Sequence, residues 1–106
     1  MTQRLTQTYG ESAFFSGLIT PLPGCPSVAV SHALFREGST GYGTIAQYER
    51  LRQLHRLGYS YVTATVEVAN ERQQHLLTKT GWSQLPPFLN RQTGNLVSLW
   101  GRPLTA

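Results

Sequence analysis

The strongest constraint in this chain is a change of hydrophobic period inside one short stretch. Val28–Phe35 alternates, with Val28, Val30, His32 and Leu34 on one side and Ala29, Ser31, Ala33 and Phe35 on the other. A period of two is a strand. The alternation breaks at REGSTGYG, residues 36–43, and from Thr44 the spacing becomes helical. Ile45, Tyr48, Leu51, Leu54 and Leu57 form one stripe, with Gln47, Glu49, Arg50 and Arg56 turned outward. Gly58 ends the helix, and Arg52 and Arg56 suit the negative end of its dipole. Tyr61–Val68 then alternates again. A strand–helix–strand unit of this length joins neighbouring parallel strands.

Arg4–Tyr9 and Ala13–Thr20 read as two further strands, joined at Gly10-Glu11, a pair that suits a two-residue turn. TPLPGCPS, residues 20–27, reads as a loop forced by its prolines and glycine. Asn70 is a good N-cap, with Gln73 where a capping box wants Glu or Gln. The short helix it opens carries Leu76 and Leu77, and Gly81 follows its end. Trp82–Leu89 and Leu96–Arg102 read as a closing hairpin around Gln92–Asn95, with Pro86-Pro87 interrupting its first strand. The expected order is β-β-β-α-β-α-β-β: an α/β (α+β) mixed sheet with two helices. It forms a single domain over residues 1–106, a hairpin and loop at 1–26 and a core at 27–104.

The 106 residues suit one core, and a 40% hydrophobic fraction is ordinary. With 13% charged residues, the charge-rich low-complexity class is excluded. A net charge of +4 favours anionic partners without choosing among them. The single cysteine, Cys25, cannot form an internal disulfide, and no Cys/His spacing suggests zinc. The first twelve residues hold no apolar signal core, and no stretch has the length of a membrane span. The expectation is an intracellular protein without a membrane partner.

Two places can carry chemistry. Gly38–Gly43 offers backbone amides at a helix start, which can be a tight turn or an anion site suited to a pyrophosphate. Asn70 stands where the next strand hands over to its helix, a position that plain capping also explains. His55 and His75 lie on separate helices with no partner spacing and read as solvated surface. Tyr59, Tyr61, Trp82 and Trp100 read as core or rim aromatics. No basic cluster accompanies them, so nucleic acid is not an expected partner.

The run from Val66 through Asn70, Leu76 and Lys79 to Gly81-Trp82 resembles the second half of the GCN5-related N-acetyltransferase (GNAT) superfamily. There a strand ending V-x-x-x-N opens a helix that runs through a leucine and a lysine to Gly-Phe. The family's cofactor loop, Q/R-x-x-G-x-G/A, falls in register on Gly38–Gly43, and LGYSYVTATV resembles the family's approach to its fifth strand. The likeness covers roughly Val28–Leu104. It implies an acetyl-CoA site in which Val28–Phe35 contacts pantetheine. Ser39, Thr40, Gly41, Tyr42, Gly43 and Thr44 would hold the pyrophosphate, and Asn70 the thioester end.

Departures from the family's pattern point the other way. Gly38 replaces the long donor that opens the loop, although Arg36 stands nearby in sequence. Leu77 falls where many members place a proton-donating tyrosine. Glu67 is the one acidic residue within the third or fourth strand, with His32 the alternative base. The family's opening strand and first two helices are lacking, since about 26 residues precede the third strand. Two expectations follow. One is a shortened, catalytically weak or degenerate acyl-CoA-dependent N-acetyltransferase in the cytoplasm. The other is a structural or assembly protein on the same scaffold, with protein partners. The closing segment also resembles the small GNAT-like proteins encoded among the morphogenesis genes of T7-like podophages, which would make such a chain virion-associated.

Overall fold

The computed structural model describes residues 2–11, 13–38 and 40–105, with 33–35 and 40 described by their backbone alone. Three antiparallel strands open the chain: β1 (Gln3–Tyr9), β2 (Ala13–Leu22) and β3 (Cys25–Gly38). A single 3₁₀ turn (Thr40–Tyr42) leads into α1 (Gly43–Arg56). Then come β4 (Tyr61–Glu67), α2 (Glu71–Lys79), β5 (Ser83–Gln84), β6 (Phe88–Leu89) and β7 (Leu96–Pro103). The seven strands lie in the order β1-β2-β3-β4-β7-β5, and β6 also pairs with β7.

The expected mixed α/β sheet is present, and β3 and β4 are its parallel neighbours. Pro86 and Pro87 interrupt the penultimate strand, splitting it into β5 and β6. One connection differs from expectation. Residues 20–27 form no loop; β2 runs to Leu22 and turns through Pro23-Gly24 straight into β3. Gly24 supplies the positive φ of 81° that this turn needs. Pro21 is tolerated because β1 ends opposite Ile19, so no strand asks Pro21 for a second ladder bond.

Both helices cover the same sheet face. Val62, Ala64 and Val66 of β4 form one buried cluster with Leu51 and Leu54 of α1 and Leu77 of α2. Beside it, Ala13 and Phe15 pack on Ala46, flanked by Tyr9 and Tyr42. The other face carries Tyr61, Thr63, Thr65 and Glu67 on β4 and Arg4, Thr6 and Thr8 on β1, with Phe14, Leu18, Val28, Val30 and Leu99 between them, so it is mixed. Apolar exposure concentrates elsewhere, at Leu85, Phe88, Leu89 and Leu96 around β6.

The rotation of α1 corrects the apolar stripe. Leu51 and Leu54 are buried, but Ile45, Tyr48 and Leu57 are exposed, at 43–48%. Gln47 and Arg50, expected outside, are each 8% exposed. The helix turns its polar residues inward because that flank faces a cleft rather than a packed core.

Candidate functional site

The cleft exists because β3 and β4 separate. Their parallel register covers four pairs, from Val28 opposite Tyr61 to Ser31 opposite Ala64. Beyond those pairs β3 continues beside β2 and β4 beside β7, so their facing backbone edges turn toward a cavity of about 500 Å³. Ser31, His32 and Arg36 line it from β3, Ala64–Glu67 from β4, and Asn70, Gln73 and Leu76 from the start of α2. Gly43, Ala46, Gln47 and Arg50 form the α1 wall, and Gln7 and Phe15 close the end against β1 and β2.

The residues singled out from the sequence meet here in part. Gly43 lines the cleft, and Gly41, Tyr42 and Thr44 flank it at the start of α1. Thr40 is placed by its backbone alone, and Ser39 lies outside the described residues. No side chain caps α1 and its first turn holds no acidic residue. Tyr42, at the cap position, instead stacks on Tyr9 with ring centroids 4.8 Å apart. Burial of the Tyr9 hydroxyl pushes its pKa up to about 12, with the nearby Glu49 carboxylate adding and Arg52 opposing.

Asn70 caps α2, its Oδ1 accepting from the Gln73 amide at 3.1 Å. Its side-chain NH₂ has no partner among the described residues. Glu67 reaches the cleft margin, but its carboxylate accepts from Asn95 Nδ2 at 3.1 Å on the face away from the helices. His32 lies 3.4 Å from Thr20 Oγ1 and is exposed. Leu77 is 2% exposed in the core, and Leu76 beside it lines the cleft. Neither leucine can supply a proton. Among the described residues no three His, Cys, Asp or Glu side chains gather to hold a metal.

Sequence reasoning missed Arg50. Its Nη2 donates to Gln7 Oε1 at 3.4 Å; Gln7 Nε2 donates to Gln53 Oε1 at 2.7 Å, and Gln53 Nε2 to the Thr6 carbonyl at 3.2 Å. Burial alone pushes the Arg50 pKa down to about 10. The available signal was the run Gly43, Ala46/Gln47, Arg50, a second helical stripe that starts at the loop glycine.

These features suit an extended anionic ligand. Two strand edges can pair with amides of an extended arm, and an uncapped helix start can hold a pyrophosphate. Arg36 and Arg72 add positive charge to the lining. No protein-family model and no curated protein sequence matches the chain. Solved acetyltransferases do match its fold. A GNAT-family acetyltransferase from Streptococcus pneumoniae aligns at 16% identity and TM-score 0.67, over 89% of this chain and 60% of that one. Spermidine N-acetyltransferase from Vibrio cholerae aligns at 10% identity and TM-score 0.73, over 97% and 66%. YncA of Salmonella typhimurium, solved with its cofactor acetyl-CoA, aligns at 12% identity and TM-score 0.70, over 89% and 58%. The fold is therefore the GNAT acetyltransferase fold in shortened form, spanning about three-fifths of the first of these structures.

Proposed function

We propose that this chain binds acetyl-CoA along the separated edges of β3 and β4 and acts as a slow acyl-CoA-dependent N-acetyltransferase. The supporting observation is the cleft itself, where two unpaired strand edges converge on the uncapped start of α1. When bound, acetyl-CoA would supply an activated acetyl thioester. Amides from Thr40 to Thr44 would hold its pyrophosphate, with Arg36 in reach of the same end. The edge of β3 would order the pantetheine arm, and the Asn70 NH₂ would meet the thioester end. Attack by an amine would then depend chiefly on positioning, which can supply a large part of a rate enhancement. Leu76 and Leu77 offer no acid for the departing thiolate, and Glu67 is engaged by Asn95. General acid–base help is worth about 10²–10⁴-fold, so turnover should be slow.

Thermal unfolding with millimolar acetyl-CoA tests the binding. At about 100-fold over its dissociation constant, ligand should stabilise the fold by roughly 2.7 kcal/mol. A folded protein with no shift would retire the cofactor. Robust thiol release on any amine would overturn the slow chemistry.

A second reading rests on the exposed Leu85, Phe88, Leu89 and Leu96 around β6. Such apolar exposure suits a partner surface, as in an assembly component, including a phage virion protein. Light scattering would test it: a monomer that recruits no partner argues for the enzyme alone.

A further inference from the structure

We infer that Arg50, flanked by Gln7 and Gln47, forms a carboxylate subsite at the β1–β2 end of the cleft. The acyl acceptor is then an amine that carries a carboxylate close to its nitrogen. The inference rests on the reading that acetyl-CoA fills the remainder of the cavity, and it names the substrate class for that site.

The argument starts from what an arginine costs in this position. Arg50 is 8% exposed, yet its one hydrogen bond among the described residues goes to a neutral amide at the long distance of 3.4 Å. No carboxylate pairs with it among the described residues. A buried guanidinium normally finds an anion, because taking a charge out of water is expensive. Here burial lowers its proton affinity, and nothing among the described residues restores it. It remains charged at neutral pH, and it lines the cavity.

Its place separates it from the pyrophosphate. Arg50 stands seven residues beyond Gly43, two helical turns or about 10 Å of rise from the start of α1. A phosphate held at that start lies at the far end. The arginine instead shares its end with Gln7, while Phe15, opposite Arg36 and packed on Ala46, lies between the two. Charge agrees: Arg36, Arg50 and Arg72 line the cleft against the single carboxylate of Glu67, which Asn95 engages. A planar guanidinium fork matches the two oxygens of a carboxylate, and the neighbouring glutamine amides can donate to the same group.

The experiment compares three small amines that differ in their anion: alanine, ethylamine and O-phosphoethanolamine. Their dissociation constants are measured by amide chemical-shift titration of the full chain, with and without saturating CoA. CoA binding itself is measured separately by calorimetry. Alanine should bind at least tenfold tighter than ethylamine, and tighter than O-phosphoethanolamine. Arg50→Met should abolish the preference, and Arg50→Lys should reduce it. Gln7→Glu supplies an internal carboxylate, so it should stabilise the fold and block alanine; this keeps the test alive should Arg50→Met fail to fold. Equal binding of alanine and ethylamine overturns the inference, as does a preference for the phosphate or one that survives in a folded Arg50→Met. Absence of CoA binding instead defeats the transferase reading, and the two failures are read from different titrations.

Discussion

The two helices begin in opposite ways. At α2, Asn70 caps the first turn and Glu71 places a negative charge on the positive end of the dipole. At α1 no side chain caps, no acid follows, and a tyrosine stack holds the start in position. The short helix is finished by its own sequence. The longer one is held by tertiary contacts, and its N-terminal field is left for something else. That difference separates a helix start closed by its own side chains from one left open.

The largest effect should come from the two leucines of α2. Leu77→Ala removes a buried side chain from the main core and should cost about 2–5 kcal/mol in urea unfolding. Leu76→Ala, on the cleft wall, should cost far less. Similar costs would mean that the two faces of α2 are wrongly assigned.

The start of α1 is tested by Thr44→Glu. The added acid should stabilise the helix by about 0.3–1 kcal/mol while weakening acetyl-CoA more than about tenfold. Stability and affinity then move in opposite directions, which calorimetry and thermal unfolding read on one sample. A variant that leaves affinity unchanged would break the contrast between the helices. Asn70→Ala should cost about 1 kcal/mol, as loss of a cap does.

The smallest effect concerns Tyr9, the support beneath Tyr42. Its folded pKa is raised, so its contribution is complete below about pH 10 and is lost as pH rises through about 12. Arg50 runs the other way, since its folded pKa is depressed to about 10. The strain of burying its charge is relieved as pH climbs from there toward its unfolded value. Ultraviolet titration should find a late-ionising phenol that Tyr9→Phe removes.

The helix–strand order was legible because each element announces its own period. Val62, Ala64 and Val66 alternate, Asn70 caps as it should, and Pro86-Pro87 break their strand where expected. What could not be read was rotation. Ile45, Tyr48 and Leu57 make a persuasive stripe, yet they face water, while Gln47 and Arg50 face inward. A hydrophobic pattern reports burial against apolar neighbours; it is silent about a polar flank that borders a cleft. The Pro23-Gly24 turn was missed for a related reason, since prolines exclude a strand only where a neighbour needs their missing N–H. The cleft lining was visible at Gly43 and Asn70, which stand at helix starts, and invisible at Gln7 and Arg50, which lie 43 positions apart.

The short ladder between β3 and β4 also governs how the molecule breathes. Seven pairs join β1 to β2 and seven join β4 to β7, but only four join the two halves of the sheet. Opening between the two halves follows this line, so amide exchange along the seam should outpace exchange within the β1–β2 and β4–β7 ladders. The cleft lies on the same line. A molecule stretched along it would stitch one half of the sheet to the other, so occupancy and cohesion would rise together.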